Sequence, residues 1–330
     1  METGFNEEGL VLSENYVRTM EEKVLPRLQA RCISRTVQGA GEKPLAVFRY
    51  DAEKPRGTVA VIHGFTECAA KFSEVIYSLL QAGYSVAAYD QRGHGNSWRD
   101  PRITDLSLTH VDGFQEYVDD LEAVCSQVLK EMPKPWYLFA HSMGGAVSLA
   151  FLEDHPGIFE KAALCAPMVA PQRGGMPLTV GKIMGVGAKA LGKGRKRVFI
   201  SKPWAGPEAF ETSCASGRER FEWYDGKEGL RVRTEKYHNN GPTYSWTLEA
   251  FRLTERLLAP GKPESVRVPV MIWTAENDNQ VLPEEQEKMA SRLPKGKRKT
   301  VAGAKHEIYR SPDTVLFPWW REVLDFYEAE

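Results

Sequence analysis

A serine flanked by small residues lies where a predicted strand turns sharply into a predicted helix. Residues 140–145 are AHSMGG, with Ser142 as the third. A nucleophile on such a turn occupies a strained backbone, and Gly144 and Gly145 allow the helix to approach the strand closely. The helix N-terminus favours developing negative charge, and the backbone N–H of Met143 points towards it. The segment predicts nucleophilic chemistry at Ser142, although alanine replaces the first glycine of the usual G-x-S-x-G and a non-catalytic serine loop would fit the same letters.

A serine hydroxyl needs a base within hydrogen-bond reach and a group that orients that base. In enzymes with this turn, the chain order is serine, then acid, then histidine, with the last two at the ends of the final strands. The predicted penultimate strand is followed by Glu276 and Asp278, and the predicted last strand by His306. Asp278 lies deeper in its loop than Glu276, so its carboxylate can reach back. The pattern predicts His306 as the base and Asp278 as the orienting acid.

The segment HGFTE, residues 63–67, follows an early predicted strand. Acyl-transfer chemistry needs N–H donors for the oxyanion, and a loop at this place can supply the second donor. Phe65 is the candidate through its backbone N–H, because Gly64 leaves the backbone free to turn that amide inward. Taken alone, the segment would fit a plain strand-end turn equally well.

The elements that must position these residues follow from the hydrophobic pattern. From about residue 45, short runs rich in β-branched and aromatic residues alternate with segments of helical periodicity. This alternation is typical of an α/β fold with a mostly parallel central sheet flanked by helices. The predicted strands are 45–50, 58–63, 85–90, 136–141, 161–167, 268–275 and 297–303, and helices are predicted within 71–83, 111–132, 144–155, 283–293 and 318–329.

The alternation stops once, between Pro171 and about Leu258. This stretch is Gly-rich and basic, with weak amphipathic patterns at 178–191 and 247–258. It predicts a helical cap inserted between sheet strands. The expected organisation is therefore an N-terminal part of the core at 1–171, a cap insertion at 172–258, and a C-terminal part of the core at 259–330.

Composition disfavours several function classes. The 330 residues suit one large α/β domain with an insertion. Lys and Arg number 43 and Asp and Glu 44, a formal net charge of -1, so no global field favours nucleic acid and none is expected as a partner. The basic run 193–197 is interpreted as a solvated face. The sequence carries no signal for an oligomeric state.

The five cysteines are scattered, without a C-x-x-C pair or a Cys/His cluster at metal-ligand spacing. They are expected to be reduced thiols, and no metal is expected. The first 16 residues are polar and acidic, unlike a secretory signal, and no apolar stretch approaches the length of a membrane span. We therefore expect a cytoplasmic protein.

Several segments together resemble the lysophospholipase and monoacylglycerol lipase branch of the α/β-hydrolases. The resemblance is particularly close to bacterial lysophospholipases and runs from about residue 40 to the C-terminal helix. The segments that carry it are HGFTE at 63–67, YDQRGHGNS at 89–97, AHSMGG at 140–145, NGPTY at 240–244, AENDNQV at 275–281 and GAKHEI at 303–308.

The resemblance implies an esterase that needs no metal or organic cofactor. Ser142, Asp278 and His306 would form its catalytic triad, and the amides of Phe65 and Met143 its oxyanion hole. Other residues would support the site structurally, and they are His63, Gly64, Glu67, Arg92 and Gly144.

The same resemblance implies lysophospholipids or monoacylglycerols as substrates, hydrolysed through an acyl-enzyme. Apolar residues among lysines in the cap are expected to form an acyl-lined lid that also contacts anionic lipid, which would place the protein peripherally at the inner face of the membrane. These residues are Ile183, Met184, Val186 and Leu191.

Three alternatives remain open from the sequence. A short-chain carboxylesterase would use the same residues. A proline-type aminopeptidase would need an acidic anchor for the substrate amine, for which Glu208, Glu219 and Glu222 are candidates. From another class, a catalytically silent binding module could share the fold.

Overall fold

A central sheet of eight strands organises the chain, of which the computed structural model describes residues 4–329. The strands in its middle are buried on both faces, as expected for short runs of Val, Ile, Ala and Tyr covered by helices. A separate two-stranded sheet joins β5 and β8. The strands are β1 (Cys32–Gly39), β2 (Lys43–Tyr50), β3 (Thr58–Ile62), β4 (Ser85–Tyr89), β5 (Leu108–Thr109), β6 (Trp136–His141), β7 (Lys161–Cys165), β8 (Gly241–Pro242), β9 (Val270–Ala275) and β10 (Gly296–Val301).

The large sheet has the strand order β1-β2-β4-β3-β6-β7-β9-β10. Strand β2 runs antiparallel to β1 and β4, and every other pairing in this sheet is parallel. The predicted α/β class with a mostly parallel sheet is confirmed. Because the carboxyl ends of parallel strands share one edge, the loops after β3, β6, β9 and β10 meet there.

Helices cover both faces of the sheet. One buried apolar layer contains side chains of α4, α5 and α11, and the layer on the opposite face contains those of α3 and α12. The helices are α1 (Tyr16–Thr19), α2 (Leu25–Arg31), α3 (Ser73–Gln81), α4 (Gln115–Gln127), α5 (Met143–Asp154), α6 (Leu178–Ala190), α7 (Arg218–Tyr224), α8 (Leu230–Arg233), α9 (Tyr244–Leu257), α10 (Lys262–Ser265), α11 (Pro283–Arg292) and α12 (Asp313–Glu328), with a π-helix at Met20–Val24 between α1 and α2. In the described range, none of them combines the length and apolar character that crossing a bilayer requires.

The N-terminal region contains structure that the sequence pattern does not predict. Strand β1 pairs along its whole length with β2 at the edge of the sheet, and α1 and α2 precede it. Most side chains of β1 are exposed, so the run CISRTVQG lacks the alternation of a half-buried strand. An edge strand with polar side chains leaves only a weak pattern in the sequence.

Helices α6, α7, α8 and α9 lie within the segment predicted as a cap. The two longest of them, α6 and α9, pack at short range because α6 carries glycines at the contact. A Cβ at Gly181 would lie 2.6 Å from the Phe251 ring, and one at Gly185 would lie 2.7 Å from Leu248. The boundaries 172 and 258 remain a prediction, and so does the division of the chain at them.

Candidate active site

Ser142 lies between strand β6 and helix α5 with the backbone angles φ 50° and ψ −117°. A non-glycine residue with positive φ is strained, and such strain clusters at functional sites. Gly144 faces the end of β3, where an added Cβ would lie 2.6 Å from the carbonyl oxygen of His63. A Cβ at Gly145 would lie 2.5 Å from Pro167 Cβ. Both glycines therefore permit the close approach of α5 that the sharp turn requires.

We predict that Gly144→Ala destabilises the protein by roughly 2 kcal/mol, because its methyl group would overlap backbone carbonyls that cannot move aside. Gly187→Ala in helix α6 is the matched control, since a Cβ there meets no atom within 4 Å. It should be neutral or slightly stabilising, because alanine is the better helix former. Urea unfolding curves measure both changes, and equal stability of the two variants would contradict the prediction.

The structure brings Ser142, His306 and Asp278 together in a hydrogen-bonded row. The Ser142 Oγ lies 2.8 Å from His306 Nε2, and His306 Nδ1 lies 2.8 Å from Asp278 Oδ2. The other carboxylate oxygen of Asp278 accepts the N–H groups of Gln280 and Val281. Burial would raise the pKa of Asp278, but the His306 hydrogen bond and these amides outweigh it and lower that pKa. An ionised Asp278 fixes the proton on Nδ1 and leaves Nε2 free to accept the serine proton.

Glu276, the rival acid, is turned away from this row. It is exposed, and its Oε2 accepts the backbone N–H of Gly303 at 2.8 Å. The loop after β9 thus directs Asp278, not Glu276, to His306.

The backbone amides of Met143 and Phe65 are the predicted oxyanion donors. Met143 is the first residue of helix α5, where the helix itself supplies no acceptor for the N–H group. The N–H of Phe65 has no protein acceptor among residues 4–329. The Phe65 ring packs against Trp246 of α9, with 4.2 Å between ring centroids. The predicted oxyanion loop is therefore also in contact with the cap segment.

Glu67 and His141 form a buried pair beneath His306. Glu67 accepts hydrogen bonds from the N–H of Gly64 at 2.5 Å and from the Tyr309 hydroxyl at 2.6 Å, and it lies 2.8 Å from His141 Nδ1. His141 Nε2 lies 3.2 Å from the carbonyl oxygen of His306. Burial would lower the pKa of His141, but the Glu67 carboxylate outweighs it and raises that pKa. A charged His141 donates from both nitrogens, which joins Glu67 to the backbone of His306.

A buried ionic network continues from Glu67 and was not predicted from the sequence. Lys71 Nζ lies 3.3 Å from Glu67 and 2.5 Å from Glu307, and Arg310 links Glu307 to Asp225. Burial would raise the pKa of Asp225, but Arg310 and Lys71 lower it to about 2. These partners lie far apart in sequence. The only local sign of the network in the sequence is the pair of charged residues Glu307 and Arg310 next to His306.

His63 and Arg92, two of the predicted supporting residues, have different surroundings. His63 accepts the N–H of Gln91 at Nε2, so its Nδ1 donates to the carbonyl oxygen of Gly64 at 2.7 Å. This bond holds the loop that carries Phe65. Arg92 instead forms two hydrogen bonds of 2.6 Å with Asp120 of α4. It anchors the turn after β4 and is not bonded to the serine, histidine and aspartate.

A cavity of about 460 Å³ opens above Ser142 and His306, a size typical of ligand sites. Of the four residues expected to form an acyl-lined lid, only Met184 lines it, whereas Ile183, Val186 and Leu191 point to solvent. That expectation is therefore wrong for three of the four, because α6 turns its other face inward. The apolar residues of the wall include Met168, Met184, Val198, Phe199, Ile200, Trp246, Ala250 and Phe251.

The basic run 193–197 is not simply a solvated face. Arg195 pairs with Asp100 and Asp112 at 2.8 Å each, and Arg197 pairs with Asp105 at 2.8 Å. These ion pairs connect the cap segment to the segments before and after β5. The interpretation as a solvated face is corrected for both arginines.

The acidic residues that an aminopeptidase would need do not line the cavity. Glu208 pairs with Arg231, Glu222 lies 3.5 Å from Arg218, and Glu219 is exposed. Inside the cavity, Glu67 and Glu307 are already engaged by Lys71. No lining carboxylate in the described part of the chain is thus free to bind a substrate amine.

One group of side chains in residues 4–329 has the composition of a metal site. Asp100, His110 and Asp112 place one ligand atom each within 4.8 Å of the others. The guanidinium groups of Arg102 and Arg195 pair with these carboxylates and already supply positive charge. None of the three lines the cavity above Ser142.

Comparison with known proteins agrees with this geometry. The sequence matches the Hydrolase_4 family, described as Serine aminopeptidase, S33, over residues 53–313. Lysophospholipase L2 of Escherichia coli (strain K12) is 29% identical over 316 residues, which cover 88% of this chain and 85% of that protein. A soluble variant of monoglyceride lipase from Saccharomyces cerevisiae has a TM-score of 0.68 at 18% identity, covering 90% of this chain and 96% of its own. A carboxyl esterase from Bacillus coagulans has a TM-score of 0.71 at 18% identity, covering 90% and 98%.

The similar solved structures share the fold, and the family match spans most of the chain. Together with the curated relative, they confirm the resemblance to the lysophospholipase and monoacylglycerol lipase branch. The chain belongs to the Hydrolase_4 family and is an ester-hydrolysing serine hydrolase of the α/β-hydrolase fold.

Proposed function

We propose that this enzyme hydrolyses the carboxylic ester of lysophospholipids or monoacylglycerols through an acyl-enzyme formed on Ser142. The observation that carries the proposal is the hydrogen-bonded row of Ser142, His306 and Asp278 at the floor of a largely apolar cavity. A long acyl chain is the part of such a substrate that an apolar wall can hold.

In the proposed reaction, Ser142 Oγ attacks the ester carbonyl while its proton passes to His306 Nε2. Asp278 stabilises the imidazolium that forms, and the N–H groups of Phe65 and Met143 hold the oxyanion. His306 then donates that proton to the leaving glycerol oxygen, which leaves the acyl group on Ser142. Water, deprotonated by His306, attacks this ester and releases the fatty acid. The returned proton restores Ser142.

The buried pair of Glu67 and His141 has a positioning role in this proposal. His141 lies 3.2 Å from the carbonyl oxygen of His306 and 2.8 Å from Glu67, so it fixes the backbone of the proposed base. A base must stay within about 0.5 Å of its productive position for efficient proton transfer. The loop after β10 is therefore held through the backbone carbonyl of His306, by a pair of residues that also belong to the cavity wall.

The acyl chain is proposed to leave the cavity past Phe199 and Ile200. These lining residues are 67% and 71% exposed, so an apolar chain would cover them. The double variant F199S/I200S should lose about fivefold in kcat/KM for long-chain monoacylglycerols and nothing for acetyl esters. Ile33→Ser is the matched control, because Ile33 is an exposed apolar residue of β1 that lines neither the cavity nor helix α6.

A chain-length series of monomeric esters measures this effect. Wild-type preference for acetyl over long acyl groups would instead support a short-chain carboxylesterase. Hydrolysis of amino-acid amides in place of lipid esters would support an aminopeptidase.

We also propose that the outer face of helix α6 contacts a lipid surface. Ile183 and Val186 are exposed on this helix, and Leu191 follows it directly. Apolar side chains beside lysines favour the interface of an anionic membrane. The double variant I183S/L191S should float less with vesicles that contain anionic lipid than the wild type does. Equal flotation of both proteins would contradict this contact.

A further inference from the structure

Arg173 is the one lysine or arginine among the residues that line the cavity in the described range 4–329. Its position is fixed by the loop that carries Asp278. The neighbouring Pro171 forms a β-bridge with Val281, and the N–H of Gln172 donates to the carbonyl oxygen of Gln280 at 2.8 Å. Arg173 therefore lies at the wall of the cavity, beside the loop that carries Asp278.

The charge of Arg173 is not compensated by the protein. Arg173 is half-buried as a residue, and within residues 4–329 its guanidinium has no hydrogen bond and no carboxylate at ion-pair distance. All other arginines between 172 and 258 pair with a carboxylate, and they are Arg195, Arg197, Arg218, Arg220, Arg231, Arg233, Arg252 and Arg256.

The two glutamates that line the same cavity do not offset this charge. Glu67 is engaged by Lys71 and His141, and Glu307 is engaged by Lys71 and Arg310. Arg173 therefore presents a positive charge without a carboxylate partner at the wall of a mostly apolar cavity. An anionic group on a ligand would supply that partner.

We propose that Arg173 binds the phosphate of a lysophospholipid substrate and so favours phosphate-bearing esters over neutral monoacylglycerols. This inference rests on the proposed function and narrows its substrate class. A guanidinium presents a planar fork of donors that matches phosphate oxygens. Space for a headgroup lies next to it, because a Cβ at Gly174 or Gly175 would meet no atom within 4 Å. The acyl chain then extends along α6 and α9 while the phosphate remains at the loop 171–176.

Binding of ether-linked ligands tests this inference without relying on hydrolysis. A short-chain alkyl lysophosphatidylcholine and the alkylglycerol of the same chain length are titrated by calorimetry below their critical micelle concentrations. Arg173→Gln should weaken binding of the phosphate ligand about tenfold and leave binding of the alkylglycerol unchanged. Arg173→Lys should retain part of the affinity because it keeps the charge but not the fork. Lys193→Gln, which removes an exposed charge outside the cavity, should change neither.

The results distinguish a failure of the proposed Arg173 role from a failure of the proposed function. Unchanged phosphate-ligand affinity in Arg173→Gln, or an equal loss for both ligands, would overturn the role of Arg173 even if the enzyme hydrolyses lipid esters. Selective loss in Arg173→Gln supports that role, and failure of the wild type to hydrolyse the matching ester-linked lipids would then count against the proposed function alone.

Discussion

Ser142→Ala is expected to lower kcat for ester hydrolysis by about 10⁵-fold, with little change in the stability of the fold. The alanine removes the oxygen that lies 2.8 Å from His306 Nε2, and no other serine or cysteine lies at hydrogen-bond distance from that nitrogen in the described residues. The residual rate would come from the two backbone amides and from binding. Steady-state turnover of a soluble chromogenic ester measures the effect.

Ser148→Ala is the matched control for this variant. Ser148 is also a buried serine of helix α5, and its Oγ has no hydrogen-bond partner in the structure. Its removal should leave kcat within about twofold of the wild type, because no polar partner is left unpaired. Near-normal turnover by Ser142→Ala, with the fold intact by circular dichroism, would exclude Ser142 as the nucleophile.

Asp278→Asn is expected to lower kcat by about 10⁴-fold while the site keeps its shape. The carboxylate accepts from His306 Nδ1 at 2.8 Å and from two backbone amides. An amide in its place can present its NH₂ to Nδ1, which would favour the tautomer with the proton on Nε2. That tautomer cannot accept the proton of Ser142, and the imidazolium of the transition state loses its counter-charge.

Glu276→Gln is the control, because it removes a carboxylate from the same loop, two residues before Asp278. Its Oε2 accepts only the N–H of Gly303, at 2.8 Å, so turnover should stay within about twofold of the wild type. The reverse ranking, with Glu276→Gln impaired and Asp278→Asn active, would assign the acid role to Glu276.

Strand order explains how much of the site the sequence can predict. Parallel strands deliver the loops after β3, β6, β9 and β10 to one edge, so Phe65, Ser142, Asp278 and His306 can be selected by the strand that each one follows. Strand order does not predict which side chains form hydrogen bonds or ion pairs across that edge. The bond between His141 and the backbone of His306 joins positions 165 residues apart, and Lys71 to Glu307 spans 236.

The prediction for helix α6 was wrong for a different reason. Its glycines and alternating apolar residues leave both faces partly apolar, so the sequence does not reveal which face packs inward. Contact with Phe251 and Leu248 turns Gly181, Met184 and Gly185 inward and leaves Ile183 and Val186 outside. The unpaired charge of Arg173 is likewise visible only when the partners of all other arginines in this segment are known.

Site-mapped labelling with a fluorophosphonate tests the proposed nucleophile most directly. The reagent forms a covalent bond only with a serine that a base activates, and peptide mass spectrometry identifies the labelled residue. We predict one adduct, on Ser142, and loss of that adduct in His306→Ala. A folded wild-type protein that resists labelling, as a catalytically silent binding module would, or one that carries the adduct on another residue, would contradict the proposed mechanism.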